Sequence, residues 1–155
     1  MYSIINVKDY SCGLAEAAVY IHSKWGRKGN YPFYLDAITH SSEPGKPLPG
    51  FYLLLKEEAI VGCYALLTND LISRQDLYPW LGCLFIEETE RGQQLGNLLM
   101  QHGINEAKRL GFNTVYLTTD HDSYYEKYGW QRMEDGYDFW GNSTRIYTIA
   151  TNLHN

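Results

Sequence analysis

The sequence has 155 residues, of which 45% are hydrophobic, 20% are charged and 15% are aromatic. These proportions are ordinary for a globular protein, so they exclude a disordered chain. The length is that of one domain, which predicts a single domain over residues 1–155. Thirteen Lys and Arg against eighteen Asp and Glu give a net charge of −5. That sign argues against a nucleic-acid partner and against a polybasic membrane-surface protein.

The three cysteines, Cys12, Cys63 and Cys83, are far apart, with no CxxC pair and no His cluster beside them. This spacing predicts no metal site and a reducing compartment. The first residues lack the basic and long apolar regions of a signal peptide, and no apolar run approaches the length of a membrane span. We therefore expect a soluble, cytoplasmic protein with no membrane partner.

The first half of the chain predicts a strand over residues 2–7 and a helix from Leu14 to about Gly26. Residues 25–50 combine a basic turn, the aromatic run YPFY, a short helix in YLDAITH and a turn-rich stretch. Residues 51–68 contain two β-rich runs split by KEE, which predicts a hairpin of two buried strands.

The second half opens with the short apolar run WLGCLFI at residues 80–86, which predicts a buried strand. A helix is predicted from Leu95, ending at Gly111 as its C-terminal cap. Its predicted apolar stripe consists of Leu98, Leu99, Ala107 and Leu110.

The last third predicts a strand in TVYLTT, a short helix in SYYEKY that stops at Gly129, and two final strands joined near Gly141. Strands that alternate with helices and end in a hairpin predict an α/β fold. Its mixed central sheet should have about six to seven strands, with flanking helices.

The segment from Glu90 to Gly96 lies between the predicted buried strand and the helix that begins at Leu95. Free backbone N–H groups and the positive end of the helix dipole would suit a phosphate or pyrophosphate there, and glycine lets the backbone approach closely. Turns of this kind also occur simply to redirect the chain. Both interpretations stand on the residues alone.

The segment resembles the phosphate loop of the GNAT superfamily of acyl-CoA-dependent N-acetyltransferases. The family pattern Arg/Gln-x-x-Gly-x-Gly/Ala places Arg91 at its first position, Gly92 at its frequent second and Gly96 at its last, while Gln94 stands where glycine is usual. We expect Gln94 to make the loop tighter or differently hydrogen-bonded.

A second motif follows in the family's order. SYYEKYGW is similar to the family signature F-Y-E-K-x-G-F, with Tyr124 at the Phe position, Tyr125 at the Tyr position and Gly129-Trp130 at the Gly-Phe position. Many members carry Asn seven residues before that Tyr, and this sequence has Thr118 there. The resemblance covers about residues 50–130.

The resemblance implies binding of acetyl-CoA as the acetyl donor. The backbone groups of Leu84, Phe85 and Ile86 would contact the pantetheine arm. The pyrophosphate would be held by Arg91, Gly92, Gln93, Gln94, Leu95 and Gly96. Tyr125 would protonate the departing thiolate, since a phenol can donate to sulfur; the alternative is that this tyrosine only packs on the sheet.

The residues leave the general base open. Glu87 and Glu88 follow the central strand and are interpreted as solvated loop charges. The run Asp120-His121-Asp122 could accept a proton, but it is more typical of a helix N-cap in a surface loop. A water chain with no dedicated base is a third alternative.

Two smaller interpretations concern the acceptor side and the central strand. An aromatic acceptor wall or ordinary helix packing could be formed by Trp25, Tyr31, Phe33 and Tyr34. Cys83 is interpreted as a core strand residue, and nothing beside it suggests a nucleophilic Cys–His pair.

The resulting hypothesis is an enzyme that moves an acetyl group directly from acetyl-CoA to a primary amine. The net negative charge favours a small cationic amine. The alternative is an acyl-CoA-binding or regulatory module without transferase activity. The sequence leaves the oligomeric state open, including a homodimer.

Overall fold

The computed structural model describes residues 1–153, which form three helices and an eight-stranded sheet. The strands are β1 (Tyr2–Asn6), β2 (Gly50–Lys56), β3 (Ala59–Leu67), β4 (Trp80–Ile86), β5 (Thr114–Thr119), β6 (Gln131–Arg132), β7 (Gly136–Tyr137) and β8 (Ser143–Ala150). The helices are α1 (Leu14–Trp25), α2 (Tyr31–Thr39) and α3 (Leu95–Arg109). The predicted α/β class with a mixed sheet is confirmed.

The chain divides into two compact units. The first consists of Met1–Ala65 with Cys83–Leu99, and the second of Leu66–Gly82 with the chain from Met100 onward. The boundaries between the two units fall within β3, β4 and α3.

In the first unit the strand order is β1-β2-β3-β4, and β1 pairs antiparallel with β2 so that Ile4 faces Leu54. The run of β2 is buried from its first to its sixth residue, as the uninterrupted apolar sequence predicts. Tyr52 and Tyr64 stack with ring centroids 4.7 Å apart inside this core. Helix α1 buries Ala17, Ala18 and Ile21, whose spacing follows one face of a helix.

In the second unit the order is β4-β5-β8-β6, with β7 also paired to β8. β4 and β5 run parallel, with Trp80 opposite Tyr116, and β8 runs antiparallel to β5. Trp80, Ile72 and Ile146 form a buried cluster. The parallel and antiparallel pairs in this unit give the sheet its mixed character.

The C-terminal end of α3 is formed as predicted. Gly111 has a φ of 96°, its N–H donates to the Lys108 carbonyl at 3.0 Å, and Phe112 donates to Ala107 at 2.9 Å. A residue with positive φ bonded back in this way ends a helix, and glycine adopts that conformation without strain.

Three details of the predicted elements are wrong. Helix α2 begins at Tyr31 rather than in YLDAITH, since Pro32 fits its first turn. Leu98 is 44% exposed, because the buried face of α3 passes through Leu99 and Met100 on the other side. The first of the two final strands is broken into β6 and β7, and Arg132 bonds Asp135 at 3.0 Å across the break.

Candidate active site

The loop between β4 and α3 contains two residues with positive φ before the helix begins. Gly92 has a φ of 88° and Gln94 a φ of 62°. Leu98 N–H donates to the Gln94 carbonyl at 3.1 Å, which makes Gln94 the N-cap of α3. The N–H groups of residues 95–97 therefore have no acceptor within the helix, and they suit an anion at the positive end of the helix dipole.

Gly96 lies in the first turn of α3 with ordinary helical backbone. A Cβ atom placed on it would meet no heavy atom within 4 Å. Neither backbone conformation nor internal packing requires glycine there, although glycine in a helix costs about 1 kcal/mol relative to alanine. The open space above this residue fits a ligand that approaches the backbone closely.

The start of the loop is held by a buried carboxylate that the sequence did not reveal. Glu90 accepts a hydrogen bond from the Tyr2 hydroxyl, and Lys56 Nζ lies 3.2 Å from its Oε1. The Tyr2 hydrogen bond, followed by Lys56, holds the pKa of Glu90 below its usual range. Gln93 Nε2 donates to the Glu90 carbonyl at 3.2 Å, so the loop is tied to β1 and β2.

The predicted pantetheine-contacting segment lies at the end of β4. A Cβ at Gly62 would approach the Phe85 carbonyl oxygen at 2.7 Å, so Phe85 directs its backbone toward β3. Since successive residues alternate along a strand, the backbone groups of Leu84 and Ile86 point to the opposite edge. The Ile86 carbonyl there accepts from Arg91 Nε at 3.0 Å, and the Arg91 guanidinium lies 5.6 Å from the Phe85 ring centroid.

Cys83 does not have the predicted core position. It is only partly buried and has a φ of 53°, which marks an irregularity in β4 just before Leu84. Its carbonyl accepts from the Cys63 Sγ at 3.3 Å. Burial raises the pKa of the Cys63 thiol, so this thiol stays protonated and acts as the donor.

Glu87 is not the solvated loop charge that we expected. Its carboxylate accepts from the Tyr20 hydroxyl and lies 2.9 Å from Lys24 Nζ, both on α1. The Tyr20 hydrogen bond and Lys24 lower the pKa of Glu87, which makes it a poor proton acceptor. Glu88 is exposed, as predicted.

Tyr125 opens a 3-10 turn (Tyr125–Tyr128) that ends at Gly129, where φ is 92°. The ring is partly buried, with the Tyr124 ring centroid at 4.9 Å and the Tyr147 centroid at 5.6 Å. Burial raises the pKa of Tyr125, while a hydrogen bond from the Thr119 side chain acts in the opposite direction. The phenol is therefore neutral at physiological pH and suited to donate a proton.

The run Asp120-His121-Asp122 lies in an exposed loop, as predicted. The predicted N-cap role is wrong, because Tyr124 precedes the 3-10 turn and no side chain caps it. Instead, His121 N–H donates to Thr119 Oγ1 at 3.0 Å and the Asp120 carbonyl accepts from Arg145 at 2.9 Å.

A cavity of about 450 Å³ lies in the second unit, between the loop after β3, the end of β5 and the β7–β8 turn. Most of its lining is polar and includes Asp70, Thr118, Thr119, Asp120, Asp138 and Asn142. Because Thr119 also bonds Tyr125, the cavity is connected to the proposed proton donor. Thr118, at the position where many family members have Asn, is part of the same lining.

The sequence model of the Acetyltransferase (GNAT) family matches residues 14–130, three quarters of the chain. The chain belongs to the GNAT family of acetyltransferases. The matched range includes both the phosphate-loop motif and SYYEKYGW, so the resemblance stated from those two motifs is confirmed. A comparison with curated proteins gave no match.

Solved GNAT structures share the fold of this chain. The acetyltransferase from Streptococcus agalactiae has 22% identity and a TM-score of 0.65, covering 96% of this chain and 98% of its own. A GNAT acetyltransferase from Elizabethkingia anophelis with acetyl-CoA bound has 16% identity and a TM-score of 0.64, with 96% and 97% covered. The ribosomal-protein-S18-alanine N-acetyltransferase from Escherichia coli has 14% identity and a TM-score of 0.67, with 97% and 94% covered.

The early aromatic residues of this GNAT chain divide into two pairs. Tyr31 and Tyr34 each contact the His22 ring edge-on at 5.5 Å, which is the packing alternative of the two interpretations. Trp25 and Phe33 are 46% and 63% exposed, so their side chains are available to a ligand.

The described residues contain neither a candidate metal centre nor a candidate membrane span. Within residues 1–153, no group of three or more His, Cys, Asp or Glu side chains could hold a metal ion. No helix in the same range is both long and apolar enough to cross a membrane.

Gln94 gives a first testable prediction for this GNAT loop. We expect Gln94→Gly to raise the free energy of unfolding by about 0–1.5 kcal/mol. Relief of the left-handed conformation contributes roughly 1–2 kcal/mol, and the greater freedom of glycine in the unfolded chain offsets about 0.5–1 kcal/mol of it. Denaturant unfolding checks the stability. Calorimetry with acetyl-CoA should show retained affinity, and a tenfold loss would mean that the Gln94 side chain itself is needed.

Proposed function

We propose that this protein transfers an acetyl group from acetyl-CoA to a primary amine. The observation that carries the proposal is the open, glycine-containing start of α3 in a chain of the GNAT family, which uses acetyl-CoA. Backbone donors at this position would bind the pyrophosphate, and the absence of a Cβ at Gly96 would let it reach them.

The proposed donor site uses the residues of the loop and of β4. Residues 91–96 would hold the pyrophosphate, with Gly92 and Gln94 setting the loop's shape through their positive φ. The backbone groups of Leu84 and Ile86 on the outward edge of β4 would pair with the pantetheine arm. Phe85 lies between these two residues, and its own carbonyl faces β3. Tyr125 would protonate the thiolate as it leaves.

We propose a small cationic amine as the acceptor. The net charge of the chain is −5, and of the residues lining the 450 Å³ cavity three are Asp and none is Lys or Arg. Such a lining attracts an ammonium group and repels an anionic acceptor. A volume of this size suits a small molecule.

The test is thiol release from acetyl-CoA over a panel of small amines, with anionic amino compounds as controls. The proposal expects turnover with a cationic amine and the acetylated product by mass spectrometry. Thermal stabilisation by acetyl-CoA without thiol release for any amine would favour the alternative of an acyl-CoA-binding module.

A salt titration gives a second prediction. The kcat/KM of the best amine should fall as ionic strength rises from about 10 mM to 0.5 M, because screening over a Debye length of about 10 Å at 0.1 M weakens attraction to the acidic surface. Steady-state kinetics in NaCl measures this. A best substrate that is anionic, or whose kcat/KM increases with salt, would contradict the cationic acceptor.

We further propose that residues 1–155 act as one acetyltransferase domain in the cytoplasm. Among the described residues the three cysteines form no disulfide, which supports a reducing compartment. A homodimer stays a prediction. Sedimentation or light scattering of the purified protein would test it by measuring the oligomeric state.

A further inference from the structure

Three carboxylates line the cavity of the second unit, and their surroundings differ. Asp138 accepts backbone N–H groups of Trp140 and Asn142, both at 2.9 Å. These bonds hold the pKa of Asp138 below its usual range, so this group shapes the β7–β8 turn as a fixed anion. Asp120 is exposed and lies at the loop after β5.

Asp70 has a different environment from the other two. It lies in the loop after β3, partly buried at the cavity wall, and burial raises its pKa to about 6. A carboxyl group that ionises near physiological pH can both accept and release a proton there.

The position of the Asp70 carboxyl depends on a glycine in β4. A Cβ at Gly82 would lie 3.1 Å from Asp70 Oδ2 and 3.0 Å from a methyl carbon of Leu67. Gly82 therefore leaves the room in which the carboxyl packs against the backbone of β4. Along the chain, this position is two residues before Leu84, the first of the proposed pantetheine contacts.

We propose that this cavity receives the acceptor amine and that Asp70 takes the proton that the nitrogen loses as the C–N bond forms. This inference rests on the proposed acetyl transfer. It adds a general base, a role to which Glu87 is poorly suited because its carboxylate is bonded to Tyr20 and Lys24.

The proton and electron balance closes with the residues of this unit. The lone pair of the neutral amine forms the C–N bond, and the C–S bond breaks with its electron pair on sulfur. Tyr125 gives its proton to the sulfur, and Asp70 takes one from the nitrogen, which bonding to the acyl carbon has made more acidic. The proton then returns from Asp70 to the Tyr125 oxygen through water in the cavity and the Thr119 hydroxyl, which bonds the phenol. The net products are the amide and the free thiol.

The pH dependence follows from the groups around the cavity. Asp120 and Asp138 share the lining with Asp70, Tyr125 is connected through Thr119, and Arg145 bonds the Asp120 carbonyl. Asp138 is already ionised near pH 6 because its pKa is lowered. Asp70 must be ionised to accept a proton, so kcat should rise as the pH increases through about 6 and be lost below it.

The experiment compares the wild-type protein with Asp70→Asn, which keeps the shape of the side chain but cannot take the proton. We expect kcat to fall about 10²-fold, the acid limb of its pH profile to disappear, and the acetyl-CoA affinity to stay unchanged by calorimetry. Asp9→Asn is the matched control, because Asp9 is exposed on the turn after β1. Its kcat and pH profile should equal those of the wild type.

A carboxyl NMR titration tests the group without any variant having to turn over. In the wild-type protein, the Asp70 carboxyl carbon should titrate with a midpoint near 6, and a midpoint near the ordinary value of ~3.9 would overturn the role. Wild-type kcat, or a retained acid limb, in Asp70→Asn would overturn the base while leaving acetyl transfer intact. No thiol release by the wild-type protein with any amine would overturn the proposed function and this inference together.

Discussion

Replacing Tyr125 with Phe should lower kcat by about 10²–10⁴-fold, the range typical of a lost general acid. The substitution removes one hydroxyl group and keeps the ring, whose neighbours Tyr124, Trp130 and Tyr147 lie at centroid distances of 4.9, 6.4 and 5.6 Å. The fold should therefore survive. Since the lost proton transfer occurs only in the transition state, acetyl-CoA affinity should stay the same while kcat and kcat/KM fall together.

Tyr124→Phe is the matched control for this variant. Tyr124 is adjacent, is 38% exposed and stands where the GNAT signature has Phe, so its hydroxyl should be dispensable. Steady-state kinetics with the best amine should show near-wild-type kcat for Tyr124→Phe. Equal rates in wild type and Tyr125→Phe would mean that Tyr125 only packs.

The pH profile gives a second readout of the same role. A proton donor is active in its protonated form, so its contribution is lost as pH rises through its pKa. Because burial raises the pKa of Tyr125, the wild-type kcat should show no decline from this residue until pH values above those at which a free tyrosine ionises. A decline between pH 8 and 9 that is absent from Tyr125→Phe would contradict the raised pKa.

Local sequence patterns were enough to predict most of the fold. The uninterrupted apolar runs of β2 and β4 and the glycine after α3 are signals that depend on a few consecutive residues, and each element appears where it was predicted. The start of helix α2 was predicted wrongly, and the break between β6 and β7 was not predicted. In both cases the deciding feature, Pro32 in a first turn and the Arg132–Asp135 bond across a bend, is a weak signal in the sequence.

The candidate site was predictable only in its contiguous parts. Residues 91–96 and SYYEKYGW are short motifs and were found by reading along the chain. The bond between Tyr2 and Glu90 joins residues 88 positions apart, and that between Tyr20 and Glu87 joins residues 67 apart. Such pairs arise from strand order and helix packing, and a single sequence carries no periodicity that reveals them.

Asp70 shows why the proposed base was missed. In the sequence it is one of eighteen acidic residues, set in the polar loop that follows β3, and no local motif distinguishes it from the others. Its distinguishing feature is burial against Gly82 at a cavity wall. Burial of a loop residue depends on elements distant in the chain, here the end of β5 and the β7–β8 turn.

Replacing Gly96 with Val should abolish measurable acetyl-CoA binding, which we expect as a loss of at least about 100-fold in affinity. A Cβ at this position meets no protein atom within 4 Å, so a valine side chain would extend into the open space where the proposed pyrophosphate approaches the backbone. Steric exclusion removes the contacts of several N–H donors at once, each charge-assisted hydrogen bond contributing about 1.5–3 kcal/mol. Calorimetry with acetyl-CoA measures the loss.

Asn105→Val separates that exclusion from any general effect of a β-branched residue on α3. Asn105 is exposed in the same helix, nine residues after Gly96, and Asn105→Val places the same β-branched side chain on α3 with little change in helix propensity. Both variants should keep cooperative unfolding, but only Gly96→Val should lose acetyl-CoA. Unchanged affinity in Gly96→Val would mean that the start of α3 only redirects the chain, and the donor would then have to bind through the edge of β4 alone.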